Sequence, residues 1–292
     1  MDGGVGYLWM MTRFLPAIHL RTLFRDVRCP VRCAETDLYR VPVLVLMTSI
    51  LNAWAWFETV ALILLGTPVL FLVFCLTVPF DRGRYITGRL FRLIGVAAVK
   101  LNPLWRFDTS CEPGLIPTRP FVVVSNHESY ADIFLISHLP WEMKWFTKDT
   151  LFRIPAFGWM MRMAGDISVT RGERASAVKA MAEARDRLKK RVSVMVFPEG
   201  TRSRDGELLP FKDGAFRLAL ESGVPIVPLV VAGTRHAMAK GSFRFQRARA
   251  RVKVLAPIET AGLTLDDLAE LRDRTRRLIS EARRTLVLEM GG

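Results

Sequence analysis

His127 and Asp132, with four residues between them, stand in the segment Asn126-His127-Glu128-Ser129-Tyr130-Ala131-Asp132. The segment follows an apolar run, residues 121–125 (FVVVS), that reads as a strand, and it opens a helical pattern over residues 129–138. A turn from strand to helix is where α/β sheets build their sites. If Ser129 caps the helix, Asp132 falls at its third position, where an acidic side chain folds back toward the residues before the helix. His127 lies there. A carboxylate on one imidazole nitrogen fixes the tautomer and leaves the other nitrogen as a general base. A plain helix cap is the other reading of Asp132, and spacing alone leaves it open.

A second apolar run, residues 193–197 (SVMVF), leads into Pro198-Glu199-Gly200-Thr201-Arg202-Ser203. Arginine in such a turn suits bidentate capture of a phosphate, and glycine lets a backbone approach closely. A solvated ion pair on a surface turn would use the same residues. A third segment, residues 165–171 (GDISVTR), again ends a strand pattern with an arginine, Arg171. A fourth, residues 224–229 (VPIVPL), reads as a buried strand whose two prolines argue against full pairing at those positions.

The elements that must hold these segments alternate. Strands are predicted at 121–125, around 143–147, and at 167–170, 193–197 and 226–231, with helical patterns at 129–138, 175–191 and 214–221. This is the pattern of an α/β domain with a mixed, largely parallel sheet flanked by helices. Residues 248–256 alternate in period two and read as an edge or antiparallel strand. Thr264, followed three residues later by Asp267, is a capping-box start for a basic C-terminal helix running to about Leu288.

Ahead of this domain lies a different texture. Between residues 41 and 80 the only charge is Glu58, and each half approaches the ~20 residues that a bilayer core requires. Arginines flank the run on both sides, at 21, 25, 28, 32 and 40 and again at 82, 84, 89 and 92. Basic flanks mark the cytoplasmic side, so both ends staying there implies a hairpin turning around Glu58 or kinked at Gly66-Thr67-Pro68. A single span, or a buried helical pair, is the competing reading. The chain thus divides into a basic N-terminal segment (1–40), a membrane-embedded hairpin or single span (41–80), and an α/β domain with its basic helix (81–292). The N-terminus lacks the basic region and cleavage site of a secretory signal.

The 292 residues carry 42 basic and 28 acidic side chains, a net charge of +14, and half of them are hydrophobic. That excludes a disordered polar chain and leaves two classes of anionic partner, nucleic acid and a membrane surface. Nucleic-acid binding would interleave aromatics with basic residues along one face; residues 243–249 (FRFQRAR) come nearest and read more simply as a basic strand. The four cysteines, at 29, 33, 75 and 111, form no C-x-x-C pair, so neither a disulfide framework nor a metal site is expected. No G-x-S-x-G elbow, Walker loop, H-E-x-x-H or G-x-G-x-x-G turn occurs.

The four segments, in this order, resemble the glycerolipid acyltransferase family, and most closely its 1-acylglycerol-3-phosphate acyltransferases. NHESYAD matches the family's N-H-x-x-x-x-D block, FPEGTR its F-P-E-G-T-R block, GDISVTR its G-x-x-x-x-x-R block and VPIVPL its V-P-I-x-P block. Trp145-Phe146-Thr147-Lys148 and Phe211-Lys212-Asp213-Gly214 are also similar to the family, and the resemblance runs from about Pro120 to Gly233. It implies transfer of an acyl group from an acyl thioester, acyl-CoA or acyl carrier protein, to the sn-2 hydroxyl of lysophosphatidic acid; another lyso-lipid, such as a lysophospholipid or lyso-ornithine lipid, is the alternative acceptor. His127 would be the base and Asp132 its partner. Arg171, Glu199, Gly200, Thr201 and Arg202 would bind the acceptor's glycerol phosphate, with Lys148 added to them. No cofactor beyond the thioester co-substrate is implied. The expected partners are a membrane lipid, the acyl donor and an anionic membrane surface, with the catalytic domain on the cytoplasmic face.

Overall fold

The computed structural model describes the backbone of residues 32–111 and 119–291, and their side chains from residue 45 onward. The described residues from 49 onward form one compact unit. Most of the expected basic segment, residues 1–31, lies outside the described residues.

A single helix, α1 (Arg32–Thr77), runs for 46 residues. The chain therefore does not turn back at Glu58 or break at Gly66-Thr67-Pro68, as the hairpin reading of residues 41–80 expects. The sequence there is dominated by helix-compatible apolar residues, and the Thr67 hydroxyl donates to the Ile63 carbonyl (2.6 Å) just before the proline. The reversal comes later, over residues 78–84. There Asp81 caps the next helix, α2 (Tyr85–Leu101), by accepting from the backbone N–H groups of Tyr85 (2.8 Å) and Ile86 (2.7 Å). α2 returns antiparallel to α1: the Thr77 and Thr87 hydroxyls meet at 3.3 Å, and Trp54 at the far end donates to the Leu101 carbonyl (3.2 Å). Val45–Thr77 is long and apolar enough to cross a membrane. Large apolar side chains such as Phe57, Leu65 and Phe71 are exposed along it.

The remaining chain builds one seven-stranded sheet from β1 (Trp105–Cys111), β2 (Val122–Ser125), β3 (Met143–Lys148), β4 (Ile167–Val169), β5 (Ser193–Val196), β6 (Ile226–Ala232) and β7 (Ala248–Val254), in the spatial order β1-β7-β6-β2-β5-β3-β4. All neighbours are parallel except β6 and β7. The five strands from β6 to β4 thus point one way, as the alternation of elements predicts. β7 is antiparallel as expected but is not an edge, because β1 covers it. β1 escapes sequence analysis because its residues, WRFDTSC, alternate too weakly in polarity to read as a strand.

Both faces of the sheet are covered, so its central strands are apolar on each side. Val122 and Val124 pack under α6 (Arg174–Lys189), α7 (Gly214–Ser222) and α9 (Leu268–Glu289), through Ala184, Phe216 and Ile279. Val123 faces the other way, toward Leu135 and Ile136 of α3 (Ala131–Ile136). The expected capping box at Thr264 and Asp267 is present one 3-10 turn before α9. β6 is central despite its proline: Pro228 aligns with Val124 of β2, but the ladder to β7 starts only at Leu229, so no bond from the missing N–H is lost there. Three short helices, α4 (Asp149–Phe152), α5 (Phe157–Ala164) and α8 (Thr234–Ala237), complete the domain.

Candidate active site

Parallel strands deliver the C-terminal ends of β2, β5, β3 and β4 to one end of the sheet, in that spatial order. His127 follows β2, Glu199 to Arg202 follow β5, Lys148 ends β3, and Arg171 follows β4. At the first of these ends Nδ1 of His127 lies 2.7 Å from Oδ2 of Asp132. The same carboxylate oxygen accepts from the backbone N–H groups of Glu128 (2.8 Å) and Ser129 (3.0 Å), and the other accepts from the Thr234 hydroxyl. Asp132 is fully buried. It folds back as expected, although α3 starts at Ala131 and the Ser129 hydroxyl is turned to the Met238 carbonyl (2.7 Å) and the Ala131 N–H (3.1 Å). A carboxylate on Nδ1 puts the proton there and leaves Nε2 as the basic nitrogen. Nε2 has no hydrogen-bond partner among the described residues. The imidazole stacks on Phe197, with ring centroids 3.9 Å apart and planes 16° apart, which fixes its plane and closes one face.

The loop after β5 holds the histidine from behind. Glu199 was expected to bind the acceptor, but it is buried, and both its oxygens are taken by backbone: Oε1 accepts from His127 N–H (2.8 Å) and Oε2 from Leu209 N–H (3.0 Å). The Ser203 N–H in turn donates to the His127 carbonyl (2.8 Å). Burial pushes the Glu199 carboxyl up to about 7, against the two N–H bonds that favour its charge. Glu128, bonded to Nε of Arg283 (2.9 Å), is raised to about 6, by burial first and by Asp132 next. Gly200 sits at φ +69°, a conformation that glycine tolerates, and a Cβ there would lie 2.8 Å from Nζ of Lys212.

The cations divide into two kinds. The Arg202 guanidinium lies over the Tyr130 ring at 3.8 Å, and one of its terminal nitrogens is buried with no hydrogen-bond partner among the described residues. Lys240 braces this loop through the Arg202 carbonyl (2.6 Å) and the Thr201 hydroxyl (3.3 Å). Lys148 and Arg171 are exposed. β4 is two strands from β5, about 10 Å at ordinary strand spacing, so Arg171 stands further along the sheet end from His127 than Arg202 does. Thr234, Phe197 and Arg283 were missed by sequence analysis. Thr234 had a signal, since it comes three residues after the strand predicted at 226–231, at the same end of the sheet. Among the described residues no cluster of His, Cys, Asp and Glu could hold a metal ion.

Comparison with known proteins fits this geometry. The acyltransferase family model matches residues 111–232. A 1-acyl-sn-glycerol-3-phosphate acyltransferase of Limnanthes douglasii is 33% identical over 222 residues, 75% of this chain and 78% of that one. The chain belongs to this acyltransferase family. The human 1-acyl-sn-glycerol-3-phosphate acyltransferase alpha is 41% identical over 162 residues, 55% of this chain and 57% of that one. The chain thus spans little more than half the length of this second relative. Among solved structures, the 1-acyl-sn-glycerophosphate (LPA) acyltransferase PlsC of Thermotoga maritima superposes with a TM-score of 0.70 at 27% identity, over 82% of this chain and 96% of that one. The chain therefore shares its overall fold with that solved structure.

Proposed function

We propose that this chain transfers an acyl group from an acyl thioester to the sn-2 hydroxyl of 1-acylglycerol-3-phosphate, giving phosphatidic acid. The observation that carries it is the His127–Asp132 pair with Nε2 left open at the end of the parallel strands. Nε2 takes the proton of the acceptor hydroxyl as its oxygen attacks the thioester carbonyl. Asp132 stabilises the imidazolium that forms. Collapse of the tetrahedral intermediate expels the thiolate, which recovers the proton from Nε2. The carbonyl oxygen needs donors as charge develops on it. The N–H groups of Glu128 and Ser129 are already bonded to Asp132, whereas those of Thr201 and Arg202 have no partner among the described residues and remain available.

The Arg202 guanidinium, with its unpartnered buried nitrogen, is the first contact of the acceptor phosphate. Arg171 and Lys148 supply outer charge along the same sheet end. Membrane attachment runs through α1, and the basic flanks favour the cytoplasmic face for the catalytic domain. Purified protein supplied with an acyl thioester and a panel of lyso-acceptors tests the reading by mass spectrometry of the lipid products. Phosphatidic acid from lysophosphatidic acid is expected. Product only from a lysophospholipid or lyso-ornithine lipid would replace the acceptor, and no acylated lipid would overturn the reaction.

A further inference from the structure

On the side of the dyad away from Arg202 and Arg171 opens a basic cleft of about 520 Å³, lined by Arg106, His236, Arg247, Ala248 and Arg249. Topology places it. β6 lies beside β2 and points the same way, so its C-terminal end carries Thr234, bonded to Asp132, and two residues later His236. β7 runs antiparallel to β6 and β1 parallel to β7, so both strands start at this end, bringing Arg249 and Arg106. His236 is thus within about 7 Å of chain from a residue that touches the dyad.

The charge here opposes folding. Arg106 and Arg249 are direct register partners, and like charges opposite one another destabilise a strand pair. Two residues further along, Asp108 stands opposite Arg251, which also pairs with Glu289 (3.4 Å). Neither Arg106 nor Arg249 has an acidic partner among the described residues. Nε2 of His236 accepts from Nε of Arg235 (3.2 Å), which leaves its proton on Nδ1 as another donor. Donors without acceptors, in a concavity within the range of small-ligand sites, call for an anion of nucleotide size rather than a flat protein surface.

We propose that this cleft binds the phosphates of a nucleotide-linked acyl thioester, the nucleoside-diphosphate end of an acyl-CoA-type donor. The pantetheine arm then runs past Thr234 and sets the thioester carbonyl at His127, while the acceptor phosphate is held on the opposite side of the dyad. This rests on the acyl-transfer reading above and decides its donor.

The test uses the full-length protein with Arg106→Gln and Arg249→Gln. KM is measured for acyl-CoA, for an acyl-pantetheine thioester lacking the nucleotide, and for the lyso-acceptor. Adenosine 3′,5′-bisphosphate is titrated directly by calorimetry. Loss of a charge-assisted phosphate contact should raise the acyl-CoA KM and the bisphosphate Kd about ten- to a hundredfold. The KM values for the truncated thioester and the acceptor should stay near wild type. The melting temperature should hold or rise, because a repulsion is removed. An unchanged acyl-CoA KM and bisphosphate Kd, a matching rise in acceptor KM, transfer from acyl carrier protein alone, or a loss confined to binding of anionic vesicles would each overturn the proposal. If no lyso-acceptor is acylated by wild type, yet bisphosphate binds and both variants lose it, the transfer reading fails while the cleft remains a nucleotide-phosphate site.

Discussion

Two clusters of buried ionisable side chains occupy opposite ends of the parallel part of one sheet. At the starts of β3 and β4, Glu142, Lys144 and Asp166 join Arg92 of α2, all of them buried. Arg92 donates to Asp166 and to the Met143 carbonyl (3.3 Å), Lys144 donates to Glu142 (2.9 Å) and to the Arg84 carbonyl (2.6 Å), and the charges balance two against two. At the other end, His127, Asp132, Glu199 and Glu128 are as deeply placed, but the bonds stop short: Nε2 of His127 has no hydrogen-bond partner among the described residues. Burial and charge are common to both. At the first end the atoms left without a hydrogen bond, Arg92 Nε and Glu142 Oε2, belong to opposite charges and lie 3.7 Å apart, whereas at the other the basic nitrogen of an imidazole is left over.

That contrast can be broken at either end. The largest effect on stability should come from the closed cluster. Removing one partner strands a buried charge, so Glu142→Ala should cost about 3–5 kcal/mol by denaturant unfolding, while turnover per folded molecule stays near wild type. A loss of turnover at full stability would place this cluster in the catalytic machinery and erase the distinction.

A somewhat smaller effect should follow pH at the open end. Burial raises the Glu199 carboxyl to about 7, well above the ordinary 4.5 of a glutamate, so its folded form favours the proton. Stability from this group is complete below about pH 4.5 and is lost as pH rises through 7. The unfolding free energy of wild type relative to Glu199→Gln should therefore fall by up to about 3 kcal/mol between those limits. A flat or rising difference would mean that the two backbone N–H bonds outweigh burial.

The smallest effects should sort the cations of the site. Arg202→Ala should raise the acceptor KM about tenfold or more, the scale of a charge-assisted contact, with Lys rescuing only partly for want of a fork. Arg171→Ala, at an exposed strand end, should stay within the roughly 0.2–1 kcal/mol of solvated charges. Equal losses for both would show that they share one phosphate after all.

The open end was far more legible than the closed one. His127, Asp132 and Arg202 lie in short segments where strand, turn and polar residue follow one another, so local pattern alone places them at a strand's end. Glu199 was legible as a residue but not in its role, because its grip on the His127 backbone joins positions 72 residues apart. The Arg92 cluster was invisible for the same reason: Arg92 and Asp166, 74 residues apart, meet only after α2 packs on the sheet. The reversal after α1 was misplaced because Glu58 looked like the only polar break, whereas Asp81 ends the run by capping α2. β1 was missed because its apolar residues are few and its pairing comes from β7, more than a hundred residues later.

The open nitrogen of His127 is tested most directly by the steady-state kcat of purified His127→Ala beside wild type, with lysophosphatidic acid as acceptor and melting temperatures recorded for both. A fall of at least about 10²-fold in kcat at an unchanged melting temperature is expected from loss of a general base. A variant that folds normally and turns over within a few-fold of wild type would contradict a base at Nε2, and with it the division between the two ends of the sheet.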